Sequence, residues 1–308
     1  MKKTIDIVVP VYNETSNLSL MVDAIAAVMK QLPYDYKIIF VNDGSSDDTL
    51  SFLKQIAAAN NNVNYISFSR NFGHQNALKA GIDYSNADAV ISMDGDMQHP
   101  PALIPTLIKN WEAGNEIVYT VRKDQEDLPA IKKQTSNLFY KILNNLSSIE
   151  LEKGTADFRL LDKKVVDVLK ELKETDLFWR GLVKWIGYKQ ISVEYIPGER
   201  ASGTSKYTVK KMTELAIKGI TSFSTKPLTI AIYIGFVSSV LSFLYVPYAL
   251  VSYFSGQSIS GWASVIVTIA FFGGIQLMIL GIIGVYLGKL FMQSKQRPNY
   301  IVSETNLV

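Results

Sequence analysis

Cysteine is absent from this 308-residue chain, which excludes disulfides, thiolate catalysis and a thiolate metal site. An excess of either charge sign is also missing. The 31 Lys and Arg against 28 Asp and Glu leave a net +3, too little for a surface that grips nucleic acid. The opening Met-Lys-Lys-Thr-Ile-Asp lacks the apolar core of a signal peptide and runs directly into a strand pattern. No Asp, Glu, Lys or Arg occurs between Pro227 and Gly288. The length suits two domains, or one domain plus a membrane part, and the uncharged stretch favours the second.

Up to that stretch, strands and helices alternate. Ile5 to Val11 reads as a buried strand followed by Tyr12-Asn13-Glu14, and Thr15 or Ser16 is placed to cap the next helix. Lys37 to Asn42, Tyr65 to Ser69, Ala89 to Met93 and Glu116 to Val121 read as further strands with helices between them. This spacing predicts a parallel α/β sheet covered on both faces, with ligands beyond the carboxyl ends of its strands. Four polar clusters fall there: Tyr12-Asn13-Glu14, Asp43-Gly44-Ser45, Arg70-Asn71 and Asp94 to His99. Together they predict one nucleotide-sized site. Asp94-Gly95-Asp96 places two carboxylates around a glycine, a hard-oxygen pair suited to Mg2+ or Mn2+ holding a diphosphate. Alone, such a triplet reads more readily as a solvated acidic turn; the other clusters reverse that preference.

Beyond Arg122 the chain is polar and charged, with a helix predicted near Gln134 to Leu146. Lys206 to Phe223 alternates Lys206, Lys210, Lys211 and Lys218 with Met212, Leu215, Ala216 and Ile220, the pattern of an amphipathic helix in a membrane interface. Leu228 to about Phe254 and Trp262 to about Phe291 are each long enough to cross a bilayer, and Ser255 to Gly261 is a short turn between them. Lys218 and Lys226 before this hairpin, and Lys289, Lys295 and Arg297 after it, predict that both ends are cytoplasmic. Gly273, Gly274, Gly281, Gly284 and Gly288 give the second span small faces, suited to packing within the hairpin or between copies as a homo-oligomer. The expected organisation is a catalytic domain over 1–205, a juxtamembrane helix over 206–226, two transmembrane helices over 227–291 and a cytoplasmic tail over 292–308.

The clusters Val9-Pro10-Val11-Tyr12-Asn13-Glu14, Val41 to Thr49 and Met93 to Pro101 resemble those of inverting family 2 glycosyltransferases of the GT-A fold. With Ser69 to Gly73, Asp157-Phe158-Arg159-Leu160 and the hairpin, the chain is similar over nearly its whole length to the polyprenyl-phosphate glycosyltransferases, of the bactoprenol glucosyltransferase type and related to dolichyl-phosphate mannose synthase. The resemblance implies a nucleotide pocket at Pro10, Tyr12 and Glu14, with Asp43 on the uracil. It implies an acidic pair, Asp94 and Asp96, at the diphosphate, with Gln98 near the metal. It places Asp157 beside the reacting carbon, and Arg180, Arg200, Ser205 and Lys206 at the acceptor phosphate, Arg200 also counting among the catalytic residues.

The implied reaction is inverting transfer of one hexose, glucose first, from a UDP-sugar to undecaprenyl phosphate at the bacterial inner membrane, for cell-envelope glycan modification. A GDP-mannose-dependent enzyme and a non-catalytic, membrane-anchored nucleotide-sugar binder are the alternatives. The chain departs from the family pattern after Arg122, where the family often carries a second basic residue a few positions on and this chain runs Lys123-Asp124-Gln125-Glu126-Asp127; this bears on how the loop contacts the donor and on the choice of sugar. The Gln-x-x-Arg-Trp motif of processive synthases is absent, which favours a single transfer.

Overall fold

A computed structural model describes residues 2–123, 144–147, 149–150, 152–196, 217–256 and 261–307. Its centre is one eight-stranded mixed sheet. The strands are β1 (Thr4–Val11), β2 (Asp35–Asn42), β3 (Val63–Phe68), β4 (Ala89–Ser92), β5 (Ile117–Arg122), β6 (Thr155–Asp162), β7 (Gln190–Tyr195) and β8 (Val302–Thr305). They lie in the order β7-β5-β6-β4-β1-β2-β3-β8. The block β4-β1-β2-β3 is parallel, as the strand–helix alternation predicts. Beyond β4 the pattern changes. β6 inserts antiparallel between β4 and β5, and β7 then runs parallel to β5.

Seven of the eight residues of β1 are buried, because helices cover both faces of the sheet. Ile5, Ile7, Val9 and Val11 point into one core with Leu18, Met21 and Ile25 of α1 (Leu18–Met29) and with Leu107 and Trp111 of α4 (Ile104–Glu112). Val8 points into the other, with Ala77 and Leu78 of α3 (His74–Tyr84), Leu169 of α5 (Lys163–Glu171) and Leu182 of α6 (Trp179–Trp185). The helix α2 (Thr49–Ala59) follows β2. Neither Thr15 nor Ser16 caps α1; a 3-10 turn over Thr15–Asn17 precedes it, and the Thr15 hydroxyl donates to Asp47 instead, at 2.8 Å.

Two long helices follow, α7 (Lys226–Phe254) and α8 (Trp262–Ser294). At 1.5 Å per residue they reach about 43 and 50 Å, enough for a hydrocarbon core of about 30 Å. Their apolar side chains are uncovered: Phe243 is 75% exposed and Leu277 71%. A core helix of a soluble protein buries such side chains, so this surface requires lipid or another apolar cover. A Cβ at any of the five glycines of α8 would meet nothing within 4 Å among the described residues.

The last residues do not form a free tail. β8 pairs antiparallel with β3 and closes that sheet edge. Tyr300 stacks on Phe68 at 5.1 Å and donates to Asp83, and Lys54 pairs with Glu304 at 2.7 Å. The segment after α8 therefore belongs to the sheet domain. The amphipathic pattern over Lys206 to Phe223 and the helix near Gln134 to Leu146 lie largely outside the described residues; residues 217–223 and 144–146 are helical.

Candidate active site

The carboxyl ends of β1 and β4 open into a cleft of about 490 Å3. Pro10, Tyr12 and Glu14 line it from β1 and its loop, and Asp94, Gly95 and Asp96 from the loop after β4. A side chain at Gly95 would meet Val11 Cγ1 at 2.9 Å and the Pro10 carbonyl at 3.1 Å. Glycine is thus what lets the acidic loop lie against β1 and turns both carboxylates into the same space. The loop after β1 is braced by its neighbour: the Asn13 amide donates to Ser45 Oγ, and the Ser46 amide to Asn13 Oδ1, each at 2.9 Å.

Asp94 is held by both histidines of the chain. His74 Nε2 lies 2.8 Å from one carboxylate oxygen, and His99 Nε2 lies 3.7 Å from the other. The Asp94 amide donates to His99 Nδ1 at 2.9 Å, which leaves the ring proton on Nε2, facing the carboxylate. His99 is buried and stacks on Phe158; burial lowers its pKa and keeps it neutral. At His74, burial favours the neutral ring, but the hydrogen bond to Asp94 and the charges of Asp94 and Asp157 outweigh it and raise the pKa.

Asp157, near the start of β6, is buried yet lines the same cleft. Its Oδ1 accepts from Arg159 at 2.8 Å, while Arg180 of α6 lies 3.4 to 3.5 Å from both oxygens. Burial alone would raise its pKa. The charges of Arg180, Arg159 and His74 more than reverse this and hold the carboxyl far below the usual range, so Asp157 is a permanent anion. Arg180 is positioned by Gln75, whose side-chain and main-chain oxygens accept from the Trp179 amide and indole at 3.0 and 2.7 Å.

The predicted residues thus divide. Pro10, Tyr12, Glu14, Asp94, Asp96, Asp157 and Arg180 share one cleft. Asp43 stands behind its wall, 4% exposed, with its oxygens accepting from the Phe72 and Gly73 amides at 2.7 to 3.1 Å. Gln98 Oε1 accepts from Arg122 at 3.1 Å. Arg200, Ser205 and Lys206 lie outside the described residues. Among those described, no group of three His, Cys, Asp or Glu side chains forms a metal cage. Asp94 and Asp96 instead offer two hard oxygen donors on an open cleft, which fits a divalent ion that takes its other ligands from water and a diphosphate. Sequence reasoning placed His99 in a polar cluster of the site without a role of its own, and gave none to His74, Gln75 or Arg159. Arg159 had a local signal, since two residues along a strand from Asp157 is the same face.

Doubly covered sheet, strand-end cleft and acidic pair define an α/β domain of the kind that binds its ligand beyond the carboxyl ends of its strands. The sequence model of Glycosyl transferase family 2 matches residues 6–169. The chain is 44% identical over 300 residues to the uncharacterized glycosyltransferase YkcC of Bacillus subtilis, covering 97% of this chain and 93% of that one. It is 40% identical to the bactoprenol glucosyl transferase of Shigella phage SfV, covering 97% of each. Glucosyl-3-phosphoglycerate synthase from Mycobacterium tuberculosis, solved with Mn2+ and UDP-glucose, aligns at 16% identity with a TM-score of 0.45, over 71% of this chain and 77% of that one. This protein belongs to glycosyl transferase family 2 and is a glycosyltransferase.

Proposed function

We propose that the protein moves a single hexose, glucose in the first instance, from a UDP-sugar to undecaprenyl phosphate at the bacterial inner membrane. The observation that carries this reading is the cleft itself. Asp94 and Asp96 share it with the Asp157–Arg180 pair, and it reaches Lys218, which precedes two uncovered apolar helices. The bactoprenol glucosyl transferase name of a relative matched along 97% of its length supports the acceptor and the sugar.

The donor's nucleotide end is assigned to Pro10, Tyr12 and Glu14. Asp43 is assigned to the uracil side through the loop it braces at Phe72 and Gly73. Asp94 and Asp96, with Gln98 beside them, would hold Mg2+ or Mn2+, which when bound supplies positive charge for the departing diphosphate. His74 and His99 orient the Asp94 carboxylate. A phosphate oxygen of the acceptor attacks the anomeric carbon as the bond to UDP breaks, with inversion. The attacking phosphate monoester is largely a dianion at pH 7 because its second pKa is about 6. No base is needed, and Asp157, fixed by Arg159, is poised to stabilise positive charge developing on the sugar. Arg180 offsets its repulsion of the incoming phosphate, and Arg200, Ser205 and Lys206 are assigned to the same task.

The hairpin is read as spanning the membrane with the sheet domain and both termini cytoplasmic. Support comes from β8: the chain leaves the sheet domain for α7 and returns from α8 to the edge of the same sheet, so it enters and leaves on one side. The small faces of α8, uncovered by the described chain, are the surfaces assigned to a second copy. The test is a panel of UDP- and GDP-sugars with undecaprenyl phosphate. UDP, not GDP, should compete with the donor; competition by GDP alone would replace the reading with a GDP-mannose enzyme.

A further inference from the structure

Among the described residues that line the catalytic cleft, Lys218 alone comes from the segment that runs into the membrane hairpin. The cleft carries the carboxylates of Glu14, Asp94, Asp96 and Asp157, so an incoming phosphate dianion needs cations on its path. Lys218 has an unusual mooring. Its Nζ lies 2.7 Å from Asp176 Oδ1, and Lys289 of α8 lies 2.9 Å from Asp176 Oδ2. Lys289 also donates to Ser222 Oγ at 3.0 Å, in the same short helix as Lys218. That helix is seated directly on α6: a Cβ at Gly181 would meet the Phe223 ring at 2.4 Å, one residue from Arg180. Asp176 thus joins three parts, the sheet domain, the juxtamembrane helix and the second span. An ammonium has three donors, and Asp176 occupies one, leaving Lys218 able to serve an anion in the cleft.

We propose that Lys218 binds the acceptor's phosphate together with Arg180, and that Asp176 and Lys289 are positioning residues that hold it there. The proposal rests on the reading of the acceptor as a polyprenyl phosphate. It makes the second span part of the active site's support rather than only an anchor. Burial would raise the Asp176 pKa, but its bonds to the two lysines outweigh that and lower it, so the mooring stays charged in the working range.

The test is steady-state transfer by the full chain in vesicles containing undecaprenyl phosphate, with UDP-glucose as donor. Lys218→Met should raise the KM for the lipid about ten- to a hundredfold, the size of a lost charge-assisted hydrogen bond, with the KM for UDP-glucose unchanged. Lys218→Arg should restore most of the loss. Asp176→Asn and Lys289→Met should raise the lipid KM less, and their effects should vanish in the Lys218→Met background, because they act through that side chain. An unchanged lipid KM, or equal rises for both substrates, in an otherwise active protein would overturn the Lys218 assignment alone. Loss of UDP binding in both Lys218→Met and Lys218→Gln would assign Lys218 to folding and overturn it too. If the wild type labels no lipid with any UDP-hexose, the acceptor reading fails, and this proposal with it.

Discussion

Asp157 illustrates how surroundings decide the role of a single side chain. A carboxylate beside a reacting carbon invites the role of general base, but a base must take up a proton near the working pH. Two arginines and His74 hold this one ionised far below that range. Asp157→Asn should therefore lower kcat on the order of a hundredfold through lost electrostatic stabilisation. The pH profile should keep its shape, with the rate falling in acid as the acceptor phosphate takes up its second proton near about pH 6 in both enzymes. Loss of an acidic limb that the phosphate does not explain would make Asp157 a true base. Arg159 supports the same anion from a buried position. Arg159→Met should leave Asp157 under-compensated and cost about 3 kcal/mol of stability, read as a lowered thermal midpoint. A midpoint equal to wild type would show that Arg180 alone suffices.

Among the elements, β8 shows how four residues can tie the α7–α8 hairpin back to a sheet. Deleting residues 299–308 removes the Tyr300 stack, the Tyr300–Asp83 and Lys54–Glu304 contacts and the pairing along β3. The thermal midpoint should fall by about 4 °C or more, and the bare β3 edge should promote association. An unchanged midpoint and size would show β8 to be dispensable. This strand was hidden in the sequence because Val302-Ser303-Glu304-Thr305 is too short for alternation to register. By contrast β1 to β4 were legible as buried apolar runs separated by helices, and Asp94 and Asp96 because they directly follow a strand. The direction of β6 was not legible: a helix predicted near Gln134 to Leu146 would suit a parallel crossover, yet β6 runs antiparallel to both β4 and β5. His74 and Asp94 are 20 residues apart and meet only through the order of strands; Asp176 and Lys289 meet only when the chain returns along α8.

At the scale of the whole molecule, the sheet domain receives the chain at both ends of the hairpin, and the catalytic cleft contains a residue that the hairpin helps to hold. The natural lack of cysteine makes the topology simple to test, because one introduced thiol is unique. Ser255→Cys should react with a membrane-impermeant maleimide from outside intact cells; reaction only after permeabilisation would place the α7–α8 turn in the cytoplasm. The most direct measurement is the mass and anomeric configuration of the lipid formed by purified protein from UDP-glucose and undecaprenyl phosphate. The account predicts undecaprenyl phosphate carrying one β-linked hexose, formed with Mg2+ or Mn2+ and lost in excess EDTA. A lipid with several hexoses, an α-linked product, or no lipid product with any UDP-hexose would contradict it.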